Sequence, residues 1–144
     1  MFVKSTLIIP ITLNCCWIGN TRAGIEDFLS TLLLKYSGGL HGCVVSFKII
    51  AHDKIASILN ECPSLQLNAT IELVSFSPCV NSILTGVVSK LSRDHIGVLV
   101  YGIFNASISL AELEDYTFDY DRNVLYTPTG TVSSGSVIRF AVDR

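Results

Sequence analysis

Apolar and polar positions in the first half of the chain form three β-rich runs. Residues 2–13, 43–50 and 67–76 are dominated by β-branched and aliphatic residues, and the last run alternates apolar with polar positions. These runs predict β-strands, with Pro10 at an edge or a bend of the first. Residues 51–66 have no clear period, and Pro63 argues against one continuous element there.

One apolar stripe with helical spacing lies between the first two runs. It consists of Ile25, Phe28, Leu29, Leu32 and Tyr36. The stripe predicts an amphipathic helix that reaches Tyr36, with Asn20-Thr21 as its cap and Gly38-Gly39 as its end. The first half is therefore predicted to be a small α+β unit whose helix lies on a curved sheet.

The second half has shorter β-rich runs separated by turn residues. Residues 75–82 contain Pro78, Asn81 and several serines, and predict a boundary between domains 1–76 and 77–144. Four runs follow, at 83–91, 97–101, 103–108 and 137–142, with turn signals at 92–95 and 134–135. This spacing predicts an all-β domain of the small-barrel type. The acidic, aromatic stretch 110–120 predicts a short helical turn followed by a loop.

Composition places the chain among folded proteins and argues against strong binding of nucleic acid by itself. Of its 144 residues, 49% are apolar and 15% are charged, so the apolar content favours a surface that meets a partner. The net charge is −2 and there is no run of lysine or arginine. Residues 1–76 carry five basic and five acidic side chains, and the remainder five and seven. The basic footprint of a strong nucleic-acid binder is therefore missing.

The five cysteines are scattered and contain no C-x-x-C pair, so the sequence predicts reduced thiols and no zinc site. An alternative is a secreted module with disulfides. Lys4 before the apolar residues 7–13 imitates a secretory signal, and Asn68 and Asn105 begin glycosylation patterns. Pro10 and Asn14 interrupt that apolar stretch. No apolar run approaches the roughly 20 residues that span a bilayer, so no membrane partner is expected.

Two blocks in the second half carry a resemblance to a known family. Residues 84–91 and 94–108 look like the first three strands of an S1-like OB-fold. Within them, the run Val-Tyr-Gly-Ile-Phe-Asn-Ala-Ser-Ile at 100–108 resembles the larger stalk subunit of DNA-directed RNA polymerase I. That protein belongs to a superfamily that also contains the seventh subunit of eukaryotic RNA polymerase II and the archaeal counterpart of both.

Three further segments agree in order with that superfamily. Residues 11–19, followed by the predicted helix, are similar to its tip domain. Phe118-Asp119, Tyr126 and residues 138–140 resemble its late barrel region. The expected fourth barrel strand ends just before Arg144, so the barrel is expected to be incomplete. The resemblance thus implies an N-terminal tip domain and a C-terminal, all-β OB domain.

The resemblance also implies a function. The chain is expected to be a non-catalytic stalk subunit that docks on the RNA polymerase I core and presents its OB domain near the RNA exit. Implied partners are the core subunits, a smaller stalk subunit, an initiation factor and, weakly, nascent RNA. No cofactor is implied, and the implied location is the nucleus and nucleolus.

Two sets of candidate residues follow from the OB and tip domains. The candidates for RNA contact are Lys90, Arg93, His95, Tyr101 and Phe104. The candidates for docking on the polymerase core are Cys15, Trp17, Ile18, Gly19, His52 and Lys54. Each aromatic candidate has core packing as its alternative, and the two cations have a solvated surface. Two cations neutralise few phosphates, so isolated RNA binding is expected to be weak and sensitive to salt.

Catalysis is not expected. The three histidines lie far apart in sequence, and no nucleophile elbow, metal-binding pair or glycine-rich phosphate loop accompanies them. Two other functions remain open beside the polymerase I assignment. One is a free-standing S1-like protein that binds single-stranded RNA, and the other is a stalk subunit of another nuclear RNA polymerase.

Overall fold

The computed structural model describes residues 1–143 and consists of two units. The first unit is Met1–Pro78 and the second begins at Cys79. The division falls two residues after the boundary that the sequence predicted. Arg144, which the prediction included in the second domain, lies outside the described residues.

The first unit is built on an antiparallel five-stranded sheet. Its strands are β1 (Phe2–Asn14), β2 (Tyr36–Ser37), β3 (Gly42–His52), β4 (Ser57–Ile58) and β5 (Ser64–Phe76). Their order is β1-β5-β3-β2, and β4 pairs with β5. The three predicted runs are therefore strands. β1 is a single edge strand. An edge strand tolerates proline at positions whose N–H would point away from the neighbouring strand, because no ladder hydrogen bond is lost there.

The helix α1 (Thr21–Ser30) covers one face of this sheet. Ile25 and Leu29 of the predicted stripe are buried against Ile11 of β1 and the alternating apolar residues of β5. Ala69, Ile71 and Leu73 are all buried, as the alternation predicted. No helix in residues 1–143 is long and apolar enough to cross a membrane.

The predicted helix end at Tyr36 was wrong by six residues. The chain leaves the helix after Ser30, and Leu34 has a φ of +60°. The Leu34 N–H donates to the carbonyl of Val44 at 2.7 Å, and the Val44 N–H donates to the carbonyl of Lys35 at 3.1 Å. Pairing with β3 thus replaces the last helical hydrogen bonds and turns Tyr36 into part of β2. Asn20 stands at the cap position, but its side chain makes no capping bond.

The second unit contains two antiparallel sheets. Its strands are β6 (Ile83–Leu91), β7 (His95–Val100), β8 (Phe104–Ser109), β9 (Thr117–Asp119), β10 (Val124–Thr127), β11 (Gly130–Ser133) and β12 (Val137–Ala141). The larger sheet has the order β12-β6-β7-β8 and the smaller the order β11-β10-β9. The four predicted runs correspond to the larger sheet, and the bounds of β6 are those predicted.

The smaller sheet is absent from the sequence-based prediction, which placed a loop after the helical turn. The turn exists, at Leu110–Glu112. The three strands that follow have only three or four residues each, and Leu125 is their one buried hydrophobic residue. Leu125 lies opposite both Phe118 and Val132. Strands this short give no periodic signal, because their stability depends on pairing with each other.

β8 and β12 form the two edges of the larger sheet. Among residues 79–143 no strand joins these edges, so the sheet is open there. The buried face is formed by alternate residues, including Val88 of β6 and Ile96, Val98 and Val100 of β7. The opposite face carries the polar candidates.

Candidate nucleic-acid and docking interfaces

Three of the five candidates for RNA contact lie together where β6 turns into β7. Lys90, Arg93 and His95 are all exposed, and no ion pair engages the two cations within the described part of the chain. Lys90 lies opposite Gly97, and His95 lies two residues away on the same face of β7. The exposed Asp94 leaves the turn with a net charge of +1, from two cations and one anion. Such a site attracts phosphates only weakly.

Backbone hydrogen bonds give this turn a defined shape. The Ser92 N–H donates to the carbonyl of His95 at 3.0 Å, and the Leu110 N–H donates to the carbonyl of Asp94 at 2.9 Å. A register shift between Val88 and Lys90 places a bulge at the end of β6. Bulges of this kind re-aim side chains at sheet ends, and here the bulge precedes Lys90.

The two aromatic candidates lie at the other end of the same sheet. Tyr101 is exposed in the turn between β7 and β8, where its φ is +52°. Phe104 lies opposite the buried Val100, so it belongs to the inner face and is half-buried. His95 begins β7 and Tyr101 follows its last residue, so the length of the strand, about 20 Å, separates them. The structure therefore does not bring the five candidates into one cluster.

The outer face of the larger sheet carries one further cationic side chain, Arg139, which was not among the five residues predicted to contact RNA. Arg139 of β12 is exposed and lies opposite Thr85 of β6. Its neighbours along the face are apolar, since Val137 lies opposite Val87 and Val87 lies opposite Leu99. The alternation Ile138-Arg139-Phe140 is the sequence signal that could have assigned Arg139 to the outside.

The docking candidates Cys15, Trp17, Ile18 and Gly19 follow the end of β1. The Asn14 side chain accepts a hydrogen bond from the Cys16 N–H at 3.2 Å, which starts a short helical turn over Cys15–Trp17. Ile18 is 64% exposed, and Gly19 follows with a φ of +87°. Ile18 is thus held at the surface by a defined turn.

Trp17 itself packs inward against the core of the first unit. A Cβ atom built on Gly24 would lie 2.7 Å from Cγ of Trp17. The indole therefore occupies the space that a side chain at position 24 would need. This packing fits the core alternative for Trp17 and leaves Ile18 as the exposed apolar residue of the segment.

Gly24→Ala is accordingly expected to destabilise the first unit. Overpacking costs about 1–3 kcal/mol, and the gain in helix propensity returns about 1 kcal/mol. The free energy of unfolding should therefore fall by about 1 kcal/mol, the middle of a range of roughly 0–2 kcal/mol. Urea denaturation measures this change. Gly39→Ala is the matched control, because a Cβ there meets nothing within 4 Å. Equal stability of the two variants would contradict the packing of Trp17 on Gly24.

The remaining docking candidates, His52 and Lys54, lie where β3 ends. His52 is half-buried opposite Ala69, and Lys54 is exposed in the segment that leads to β4. Asp53 fixes this segment, since its N–H donates to the carbonyl of Asn68 at 2.9 Å and its Oδ2 accepts from the Asn68 N–H at 3.0 Å.

The same segment exposes the aliphatic residue Ile55, which neighbours the docking candidate Lys54, and two aliphatic residues that the sequence did not indicate, Ile58 and Leu59. Ile55 is 85% exposed, Ile58 is 58% exposed and Leu59 is 50% exposed. A groove of about 420 Å³ lies beside Ile55 and is also lined by residues of β1 and β5. The apolar residues after Lys54 follow neither helical nor strand spacing in the sequence. Only their exposed position in the fold distinguishes them from core residues.

Both segments lie at one end of the sheet. Asn14, which precedes the Cys15 turn, is paired with Ser64, and Ile58 is paired with Leu65. Ile18, Ile55, Ile58 and Leu59 therefore all belong to segments at the end of the sheet where β5 begins. We call these four residues the aliphatic end of the first unit. Exposed apolar residues grouped in this way are typical of protein-binding surfaces.

Comparison with known proteins agrees with the β-rich second unit. Residues 78–135 match the family described as the RPA43 OB domain in RNA Pol I. The matched region contains β6 to β11, so it includes both the three-stranded meander of the larger sheet and the smaller sheet.

Three curated proteins similar to this chain are RPA43 subunits of RNA polymerase I. The chain is 33% identical over 124 residues to the probable DNA-directed RNA polymerase I subunit RPA43 of Dictyostelium discoideum, which covers 83% of the chain and 35% of that protein. It is 35% identical over 107 residues to the RPA43 protein of Mus musculus, and this alignment covers 74% of the chain and 32% of the mouse protein. The identity to the Homo sapiens RPA43 protein is 35% over 103 residues, and this alignment covers 71% of the chain and 30% of the human protein. The chain thus spans about a third of the length of these relatives.

Proposed function

Because this chain belongs to the RPA43 family of RNA polymerase I subunits, we propose that it is a non-catalytic stalk subunit of that polymerase. In this proposal the first unit is the tip domain that docks on the polymerase core. The OB domain then lies near the RNA exit, where it contacts nascent RNA weakly. The assignment favours the polymerase I branch over a stalk subunit of another nuclear polymerase.

The observation that carries the proposal is the extent of the similarity. The second unit has at most 66 residues, from Cys79 to Arg144, whereas the alignment with the Dictyostelium discoideum protein runs over 124. The similarity therefore continues through much of the first unit. A free-standing S1-like RNA-binding protein would need to share only the OB domain.

The aliphatic end supports docking by the first unit. Its four residues are each at least 50% exposed. Ile58 lies in a strand that pairs with β5, and Ile55 follows Asp53, whose hydrogen bonds to Asn68 fix the backbone there. Burial of a few such anchors supplies most of the affinity in protein interfaces. Lys54 and Gly19 flank these anchors along the chain, whereas Trp17 contributes through the core.

The OB domain supports weak and unspecific RNA contact. Lys90, Arg93 and Arg139 supply positive charge, and the exposed ring of Tyr101 offers a stacking surface. The acidic residues of the segment around β9 work against a long RNA footprint, because phosphates are repelled there. A subunit that is already held beside the RNA exit needs no stronger contact.

Exchange of Lys90 and Arg93 for alanine should weaken RNA binding and flatten its salt dependence. Single-stranded nucleic acid releases about 0.7 counterions per neutralised phosphate, so the slope of log K against log salt should fall by about 1.4. The measurement is the fluorescence anisotropy of a labelled oligouridylate of about 12 nucleotides between roughly 50 and 200 mM KCl, a salt range wide enough to resolve such slopes.

Arg122→Ala is the control for this experiment. Arg122 is also exposed, but it follows Asp119 and Asp121 in the turn after β9, and its N–H donates to the Asp119 carboxylate. It should leave the slope unchanged. An unaltered slope in the double alanine variant would remove the turn between β6 and β7 from the proposed RNA path.

Recovery of the polymerase tests the proposed function as a whole. The tagged chain, expressed in nucleated cells, should co-purify the large RNA polymerase I subunits, as identified by mass spectrometry. We also propose that a smaller stalk subunit and an initiation factor join it, and that it is found in the nucleus and nucleolus. A chain recovered with large subunits of a different nuclear polymerase, or with none, would contradict the proposal.

A further inference from the structure

The first strand of the tip domain has one long edge without a neighbouring strand. β1 is paired with β5 over all its 13 residues and without a register shift. It is also the outermost strand of the sheet order, so no described strand lies on its other side. In an antiparallel ladder the backbone groups of alternate residues point to opposite sides. About half of the N–H and C=O groups of residues 3–9 therefore point away from β5.

The side chains of this segment do little to protect the edge. Natural edge strands are usually short, bulged, charged or interrupted by proline. In residues 3–9 the single charge is Lys4, and its Nζ lies 3.0 Å from Oε1 of Glu72 on the neighbouring strand. Pro10 limits the pairing segment at one end, because it has no N–H. Between Lys4 and Pro10 the edge carries no charge.

The helix-side face beside this edge is incompletely covered. Val3 and Leu7 lie opposite the buried Ser75 and Ile71, so they point to the side of the sheet that α1 covers. Val3 is nevertheless 45% exposed and Leu7 36% exposed, whereas Ile11, further along β1, is buried. An additional strand beside β1 would cover the two exposed side chains if its own side chains on that face were apolar.

We infer that residues 3–9 are a strand-addition site that accepts an extended segment of another polypeptide with aliphatic residues at alternate positions. Main-chain hydrogen bonds to the outward backbone groups provide the affinity, and contact with Val3 and Leu7 provides the selectivity. This site lies on the β1 edge and is separate from the aliphatic end in both residues and chemistry.

The size of the edge favours a segment of a different protein over a second copy of this chain. Seven residues span about 24 Å. Two such edges paired with each other would bury less than the roughly 1,200 Å² of a stable complex. A segment of a partner that is held elsewhere in the same assembly has no such requirement, because its effective concentration at the edge is high.

A peptide with the sequence of residues 69–75 is a suitable probe, because this sequence already pairs with residues 3–9 of β1 in the fold. Labelled with fluorescein and mixed with the whole chain, it should bind and slow amide hydrogen exchange in residues 3–9. The slowing should be about fivefold or more at saturation, as expected when open amides become paired. The amides of β3 should be unaffected.

Leu7→Lys should weaken binding of this peptide by about tenfold, because an inward charge on an edge strand opposes pairing. Thr12→Lys is the matched control, since Thr12 is an exposed residue of β1 beyond Pro10. Equal affinity of the two variants would overturn the site, and so would unchanged exchange of residues 3–9 in the unmodified chain. Self-association that Leu7→Lys removes would assign the edge to a second copy instead. None of these readouts depends on the polymerase.

Discussion

The double variant Ile55→Asp, Ile58→Asp should lose the RNA polymerase I subunits in affinity purification. Both side chains are more than half exposed in the isolated chain, and docking would bury them. A buried carboxylate without a partner costs several kcal/mol, and loss of the aliphatic contact adds about 2 kcal/mol for each central anchor. Recovery of the large subunits should therefore fall by more than about tenfold. Quantitative mass spectrometry of the purified material measures the loss.

Val80→Asp provides the comparison for this experiment. Val80 is as exposed as Ile58 but belongs to the second unit and not to the aliphatic end. It should retain the polymerase subunits. Because exposed positions tolerate substitution, the thermal stability of both variants should be that of the unmodified chain. Full recovery of the polymerase subunits with the double variant would show that the segment between β3 and β5 is not the docking surface.

Gly86→Ala should unfold the OB domain or leave it only marginally stable. Gly86 is buried on the inner face of β6, opposite both Ile138 and Val100. A Cβ there would overlap Cγ1 of Val98 and lie 3.0 Å from the backbone carbonyl oxygen of Leu99. Backbone cannot move aside as a side-chain end can, so the cost should reach the upper part of the overpacking range, about 3 kcal/mol. That is a large share of the stability of a small domain.

Thermal unfolding and hydrogen exchange of residues 83–109 measure this effect. A loss of about 3 kcal/mol lowers the melting temperature by roughly 12–24 °C in a domain of this size. Gly97→Ala is the matched control in the same sheet, since its Cβ would meet nothing closer than 3.4 Å. β5 of the first unit should keep its protection in both variants. Similar melting temperatures for the two variants would show that β6 and β7 do not pack as described.

The exposed residues of the two units suit them to different proposed roles, protein contact for the first and weak RNA contact for the second. The first unit has no net charge, with five basic and five acidic residues, and its exposed features are aliphatic. The second unit separates its charges, with cations at the turn after β6 and on β12, and acidic residues around β9. Protein contact therefore suits the first unit, and weak contact with phosphates suits one side of the second.

The sequence by itself determined the elements whose signal is local. The alternation in β5 and the β-rich runs of β1, β3 and β6 were sufficient, because burial of one face repeats every second residue. The run at 100–108 was specific enough to indicate the polymerase I family before any comparison.

The tertiary structure alone decided the features that depend on distant partners. The helix stops at Ser30 because Leu34 and Lys35 bond to Val44, a pairing that the apolar stripe through Tyr36 does not reveal. The strands β9 to β11 are too short to show a period.

The burial of the candidate site residues also depended on segments that are distant in sequence. Tyr101 and Phe104 are three residues apart, yet one lies in an exposed turn and the other on the inner face. Ile55 and Ile58 have the chemistry of core residues and lie on the surface in the fold. A residue type indicates what a side chain can do, whereas its burial depends on contacts between segments that are distant in sequence, and these arise only when the chain folds.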